Sequence, residues 1–526
     1  MGVRLAHRDL SPTRDPLPRW AWLAVGLVAA LFGAVVLRSA WLADDCFFSL
    51  RPAWNLLHGY GLRYNVAERV QGFTSPLWTL LLAGQMAAGA NELVACVGSG
   101  VVLSVVAALL LARWVAPGPA AALLVPALLV SSKAFVDFSA AALENPLAHA
   151  LYALVLVVLL GDGGGRRRPL VLGTLGSLLM LTRLDLALVV APALLATLLP
   201  RPSRPVLQGL LLGGLPLVAW ELFSLVYYRA PVPCTAVAKL GDLGLDRGFL
   251  VHRGWASVVD TLAWDRVTVP VILLGTLAAL VGRRPRELQV LAGVFAYLGY
   301  LVWIGGDFMA GRFLTVPFLG AVALLVVWLG RRPALAALAL PAVLVLSATS
   351  PRSPLRVGVT YEEEHPPAEL FLRYGVADER MFHYRLGAGR LWREVGWSGT
   401  LRGEAPPEPR WVAVVHSGQQ AYYDGPGLHA IQIQGLTDPL LARMPPTGED
   451  LERAGHAYRT LPRGYLASLE SGENQIADPR VAALWDDLVL VSRGPLWTRA
   501  RWEAIGRLLG GRYAGLVHAS IAREAG

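Results

Sequence analysis

Residues 20–42 read WAWLAVGLVAALFGAVVLRSAWL, and the basic segment before them carries Arg4, Arg8, Arg14 and Arg19. A run this long crosses about 30 Å of hydrocarbon as a helix, which takes roughly 20 apolar residues. A signal peptide is the competing reading. The length of the run, and the lack of a small-residue cleavage site before Asp44, favour a retained span. Similar apolar runs recur to residue 349, separated by short basic or Gly/Pro-rich breaks. Over the whole chain 55% of residues are hydrophobic and only 16% charged, against about 25% charged in a soluble domain. The bilayer is the solvent that such a composition fits.

The net charge of +9 is no nucleic-acid signature. Residues 1–350 hold 27 Arg+Lys against 17 Asp+Glu, whereas the remainder holds 20 against 21. The excess therefore belongs to the membrane part, where it sets orientation. Basic breaks at Arg166-Arg167-Arg168, Arg201 to Arg204, Arg283-Arg284-Arg286 and Arg331-Arg332 lie, by the positive-inside rule, in the cytoplasm with residues 1–19. The intervening turns then face outward: Thr182 to Asp185, Tyr227 to Asp265, and Gly305 to Arg312. Parity requires that one short apolar segment, Leu77 to Ala90 behind Pro76, not cross. It reads as a surface or re-entrant helix, with Leu93 to Leu111 as the second span and Lys133 to Asn145 outside.

The expected fold is a polytopic α-helical membrane protein of about 11 spans, N-terminus in and C-terminus out. Residues 20–349 form the transmembrane domain, with a first outer loop at 43–91. Residues 350–526 form a C-terminal extracytoplasmic α/β domain, with strands expected at Trp411 to Val415 and Ala430 to Ile433 and helices at Val481 to Leu488 and Arg499 to Leu509. The location implied is a bacterial inner membrane. Three cysteines make no disulfide framework; Cys46 and Cys234, both on the outer side, are close enough in topology to pair, although packing roles are the simpler reading.

Acidic residues collect on the outward turns: Asp44, Asp45, Glu68, Asp137, Glu144, Asp185, Asp242, Asp246, Asp260, Asp265 and Asp307. Singly, each reads as a cap or a solvated charge, Asp185 being a good cap candidate. Together with Arg183, Lys239 and Arg312 they suggest a cavity for an anionic ligand, because charges at a span boundary are costly unless solvated, paired or used. The two lysines, Lys133 and Lys239, both fall outside, where an ammonium suits a lipid-linked phosphate. The pair Asp44-Asp45 directly after the first span fits a general base that deprotonates a hydroxyl.

The first loop continues through Arg51, Asn55, Gly59-Tyr60-Gly61, Tyr64-Asn65, Glu68-Arg69-Val70, Gly72-Phe73-Thr74 and Pro76-Leu77-Trp78. This string resembles the first outer loop of GT-C type integral-membrane glycosyltransferases. In particular it resembles the family of the mycobacterial terminal arabinofuranosyltransferase and its proteobacterial relatives, some described as flagellar motor control proteins. Further elements follow in order. Ser139 to Leu147 resembles Ser-Gly-Leu-Glu-Thr-Pro-Leu, keeping Glu144. Leu181 to Leu186 resembles Leu-Thr-Arg-Pro-Asp-Gly, keeping Arg183 and Asp185. Tyr227 to Lys239 resembles Tyr-Tyr-Gly…Pro-Asn-Thr…Ala-Lys, with Cys234 in the Asn position. Gly305 to Phe313 resembles Gly-Gly-Asp-x-Met-x-Gly-Arg, and Gly435 to Asp438, Gly455-His456 and Pro462 to Leu466 resemble the family's outer domain.

The resemblance implies an enzyme that moves a sugar, arabinofuranose in the first instance, from a polyprenyl-phosphate donor to a glycan or lipid acceptor outside the cytoplasm. Asp44 or Asp45 would be the base, Asp44 first. Arg51, Lys239 and Arg312 would hold the donor phosphate through an oxocarbenium-like transition state. Asn65, Glu68, Glu144, Arg183, Asp185 and Asp307 would position sugar hydroxyls or hold those cations, the plainer alternative being ion pairs that brace the loops. No cofactor is expected. Some GT-C enzymes use a divalent cation that Asp44-Asp45 is able to bind, but none is expected here, and His58, His149 and His252 form no ligand pattern. Trp397, Trp411, Tyr422 and Tyr423 are capable of stacking on sugar rings, with core packing the more ordinary role. Membrane lipid is the other partner. A secondary transporter would show two related halves and broken mid-membrane helices, which the sequence lacks; a non-enzymatic envelope or motility protein is the remaining alternative.

Overall fold

The computed structural model describes residues 17–161, 165–199, 202–240, 246–356, 376–385, 411–415, 418–447, 455–513 and 516. Asp242 and Trp397, named above, lie outside them. The described chain is mostly helical, with a single two-stranded sheet among the described residues.

Four helices are long and apolar enough to cross a membrane: Arg19–Arg38, Val94–Trp114, Arg204–Tyr227 and Arg312–Leu329. Two bent pairs raise the number to six, Pro119–Ser131 with Lys133–Ser139 at 77° and Arg247–Trp264 with Thr268–Gly282 at 108°. Asn145–Leu160, Arg168–Thr182, Leu184–Leu198 and Pro333–Ala348 are shorter apolar helices. Exposure explains why these sequences need lipid. Leu211 is 72% exposed and Leu199 82%, a pattern water would penalise and a bilayer does not.

Pro76–Ala87 has 12 residues, about 18 Å at 1.5 Å per residue, too short to cross. Pro76 opens it at a position where a missing N–H costs nothing. The segment from Tyr227 to Asp265, read from the sequence as a turn, instead contains the 18-residue helix Arg247–Trp264. Its start signal is Asp246, whose carboxylate accepts from Phe249 N at 3.0 Å.

Beyond residue 349 the strands are β1, Trp411–Val415, and β2, Leu428–Gln432, paired in parallel with Trp411 opposite Leu428. The short helix Gly418–Tyr423 makes the crossover. Helices Pro479–Ser492 and Arg499–Leu509 follow. This part shares a core with the first loop: Phe48, Tyr64 and Val70 pack with Cys234, Val415 and Leu428. Residues 376–385 reach back to the membrane helices, where Ala377 N donates to Phe308 O and Ala310 N to Ala377 O. A buried ion-pair group holds them there, with Asp378 between Lys133 at 3.3 Å and Arg352 at 2.9 Å, and Arg380 at 3.4 Å from Asp137.

Cys46, Cys96 and Cys234 are all buried free thiols, so the Cys46–Cys234 pairing entertained from topology is not formed. Cys46 belongs to the membrane core and Cys234 to the core shared with the tail.

Candidate active site

The turns between helices converge on one cluster of charge. Arg312 follows Gly311, which at φ 78° sits in the left-handed region that glycine tolerates best. The Arg312 guanidinium grips Asp307 through two parallel bonds, Nε to Oδ2 at 2.6 Å and Nη2 to Oδ1 at 3.0 Å. Its remaining nitrogen, Nη1, donates to Asp45 Oδ2 at 3.3 Å. Arg183 makes the same grip on Asp185, at 3.1 and 2.7 Å, and lies 3.7 Å from Glu144. Asp185 also accepts from the Tyr297 hydroxyl at 2.9 Å, so it is an ion-pair partner; the cap role considered for it from sequence is not the one it takes. The Phe313 ring lies between the two guanidiniums, with the carbon of Arg183 4.0 Å and that of Arg312 5.2 Å from its centroid. Tyr297 and Phe313 had no signal in the sequence, since neither belongs to a charge pattern.

Lys239 stands apart from these pairs. Half-buried on the helix Cys234–Leu240, its ammonium feels Asp45, Arg312, Asp307 and Arg183 at a distance, yet it makes no hydrogen bond or ion pair within 4.0 Å among the described residues. Its stem runs along Gly455, where a Cβ would meet Lys239 Cε at 2.7 Å. Burial, with Arg312 and Arg183 against the pull of Asp45 and Asp307, lowers its hold on the proton. His456 follows, its ring 4.0 Å edge-on from Phe308.

Asp44 and Asp45 are adjacent in the chain and opposite in surroundings. Burial raises Asp45, but Arg312, Lys239 and His456 more than offset it, leaving the carboxyl below its usual range. Asp44 faces the tail, where its oxygens accept from Gly418 N at 2.8 Å and Gln419 N at 2.9 Å. There burial outweighs those two bonds, and Asp44 is held above the ordinary value of 3.8. The two carboxylates thus have different partners, and among the described residues no group of three or more His, Cys, Asp or Glu has metal-binding geometry.

Three residues expected here lie elsewhere. Arg51 is 3% exposed, and its guanidinium is spent on carbonyls: Nε to Tyr64 O at 2.8 Å, Nη2 to Leu428 O at 2.6 Å, and Nη1 to Ala421 O. It fastens the first loop to the tail. Asn65 pairs with β2 as a strand would, accepting from Ala430 N at 2.9 Å and donating to Ala430 O at 3.0 Å. Glu68 is buried between His429 at 3.7 Å and Arg493 at 3.6 Å. Tyr422 is core, 1% exposed with its hydroxyl on Glu92 at 2.8 Å.

Two stability consequences follow. Replacing Arg312 by Gln strands Asp307 and Asp45, and breaking such a buried pair costs about 3–5 kcal/mol; thermal unfolding in detergent should show a clear fall in midpoint. Near Glu68, burial and the Glu68 charge raise Asp438 from 3.8 to about 6. The folded state therefore favours the acid. This contribution is complete below pH 3.8, and is lost as pH rises through about 6. Asp438→Asn should flatten the decline in melting temperature between about pH 4 and 6, the window of that titration.

With this geometry in place, the comparisons with known proteins decide the relationship. Over 336 residues, covering 56% of this chain and 54% of the relative, the sequence is 32% identical to the terminal beta-(1->2)-arabinofuranosyltransferase of Mycobacterium tuberculosis. The chain is similar to the terminal arabinofuranosyltransferases. The one from Corynebacterium glutamicum is 27% identical over 327 residues, 53% of this chain and 46% of the relative. The chain spans about half the length of the curated arabinofuranosyltransferases it matches. No family model matches it.

Proposed function

We propose that this membrane protein is a glycosyltransferase of the GT-C type that moves an arabinofuranosyl group from a polyprenyl-phosphate donor to a glycan or lipid acceptor. The observation that carries the reading is the Lys239 ammonium, without an ion pair among the described residues, beside the Arg312–Asp45–Asp307 cluster, with a carboxylate of raised proton affinity, Asp44, next to Asp45 in the chain. The names of the relatives supply the sugar. A lipid-linked donor gives a reason for a transferase to be built from membrane helices, and the arginine-rich turns favour an arrangement of about eleven spans in an inner membrane with the site on the periplasmic side.

In the reaction the bond between the anomeric carbon and the phosphate oxygen breaks, and the phosphate keeps the electron pair. The acceptor hydroxyl forms the new glycosidic bond and gives its proton to Asp44. Lys239 receives the charge that develops on the leaving phosphate, and Arg312, fixed by Asp307, holds its edge of the site rigid. Asp45 keeps the two cations together when no donor is bound. Arg183, Glu144 and Asp185 line the adjoining wall and offer donors and acceptors to sugar hydroxyls.

Donor identity is tested by binding. Thermal stabilisation of the purified protein should be larger with polyprenyl-phosphoryl-arabinose than with polyprenyl-phosphoryl-mannose, and absent with the free polyprenol. A larger response to the mannose donor would replace the sugar; an equal response to the polyprenol would remove the phosphate from the account.

A further inference from the structure

A second concentration of positive charge lies outside the cluster just described. Arg69 of the first loop, Arg229 just after the helix Arg204–Tyr227, and Arg443 of the tail line one cavity together with Cys234 and Ser492. Its free space is about 40 Å³, the scale of one small polar group and not of a whole ligand. Asp487 and Asp438 pull on Arg229 and Arg443 only at a distance, and Arg69 and Arg443 give part of their hydrogen bonds to the carbonyls of Val491, Gly494 and Pro439. Among the described residues none of the three forms an ion pair within 4.0 Å, and the nearby Arg501 spends its nitrogens on the carbonyls of Val491, Leu496 and Val226.

Arg229 is the unusual member. Its residue is 8% exposed, and its Nη1 is buried with no hydrogen-bond partner among the described residues. Arg69 Nε is in the same condition. Burial, followed by Arg443, weakens the hold of Arg229 on its proton, to about 9. The backbone there is strained as well: φ is 71° in a residue other than glycine, a conformation that persists only where its surroundings enforce it. Burying an uncompensated cation is costly. A second and a third guanidinium around it raise the cost further, unless an anion completes the group.

The place in the fold narrows the anion. Arg229 comes two residues after the helix Arg204–Tyr227 ends, and that helix exposes Leu211 at 72% and Leu222 at 60%. Trp220, Phe223, Tyr227 and Tyr228 pack together along its last turns, the aromatic girdle found at headgroup depth. A planar guanidinium at that depth matches a phosphate.

We propose that Arg69, Arg229 and Arg443 form a phosphate-binding site at the membrane boundary, separate from the Lys239–Arg312 cluster, and that it holds the headgroup phosphate of a lipid. The two sites flank one short helix. Cys234 at its start lines the cavity, and Lys239 lies five residues on, about 7.5 Å along the axis. Occupation of the second site thus braces the helix that presents Lys239. The inference depends on the membrane position and not on the transfer chemistry.

The test uses full-length protein in dodecyl maltoside, which carries no phosphate. Melting temperature and native mass spectra are recorded with added phosphatidylglycerol, diacylglycerol or inorganic phosphate, for wild type and for Arg229→Gln/Arg443→Gln. Wild type should gain a few degrees and retain bound phosphatidylglycerol, with no response to diacylglycerol, and the double variant should lose the response. Its own baseline should change little, because neither arginine has an ion pair among the described residues and glutamine costs Arg443 only its bond to Pro439 O. If the double variant does not fold, Arg443→Gln alone serves, with the response expected to weaken. A response to inorganic phosphate as strong as that to the lipid would keep the phosphate site and make its occupant a soluble phosphoryl group. No response from wild type, or an undiminished response from the variant, would overturn the proposal.

Discussion

Asp44→Asn is expected to reduce sugar transfer by about 10³-fold, within the 10²–10⁴ typical of a positioned general base. The protein should still fold. Asparagine keeps one oxygen able to accept from Gly418 N or Gln419 N, and losing the other bond costs on the order of 1 kcal/mol, as at a helix cap. The wild-type rate should also carry a pH signature. Asp44 must be ionised to take a proton, and burial raises it above 3.8, so activity should fall as pH drops through a value above that of an ordinary aspartate. The variant's residual rate should lack this limb. Rates measured from pH 4 to 8, roughly spanning the carboxylate range, check both points. A variant with wild-type rate would remove Asp44 from the chemistry, leaving it only the fastening of the tail.

Lys239→Gln is expected to lower the rate by about 10²–10³-fold, the loss typical when one donor to developing negative charge is removed. Here stability should hardly change, since Lys239 has no ion-pair partner among the described residues to strand. That separates it from Arg312→Gln, which removes a grip on Asp307 and a contact with Asp45 and should cost both fold and rate. Measured kcat and KM for the donor, with melting curves beside them, make the distinction. If the ammonium serves the leaving phosphate, kcat should bear most of the loss. A pure KM effect would reduce Lys239 to ground-state attraction of an anionic lipid.

The membrane segments were legible because hydrocarbon imposes a length. Val94–Trp114, long and apolar enough to cross, and Pro76–Ala87, only 12 residues long, follow from counting apolar residues between charges. The strand Trp411–Val415 and the helix Arg499–Leu509 were readable from alternation and helical periodicity. The helix Arg247–Trp264 was not, because its apolar positions are interrupted by Arg253 and Asp260 and its ends are only visible as a cap at Asp246.

The site was legible in part, for a physical reason. Asp45, Arg312 and Lys239 announce themselves as charges that a span boundary must solvate or use. Arg51, Asn65 and Glu68 carry the same polar groups in the same loop, yet they satisfy buried backbone and buried charge where the loop meets the tail. A donor that feeds a carbonyl and a donor that feeds a ligand read alike until the fold states what lies opposite. Arg183 and Asp185, two residues apart, could be paired by eye; the Phe313 ring between Arg183 and Arg312 could not.

The most direct test of the transferase account is a single-turnover reaction in nanodiscs. Polyprenyl-phosphoryl-arabinose carries label in the sugar and, separately, in the phosphate, and an envelope glycan fraction serves as acceptor. The account predicts that sugar label enters the glycan in step with release of an equal amount of free polyprenyl phosphate, and that Asp44→Asn slows both by about the same 10³-fold. Release of polyprenyl phosphate without glycan labelling, or no turnover of any lipid-linked sugar offered, would contradict it.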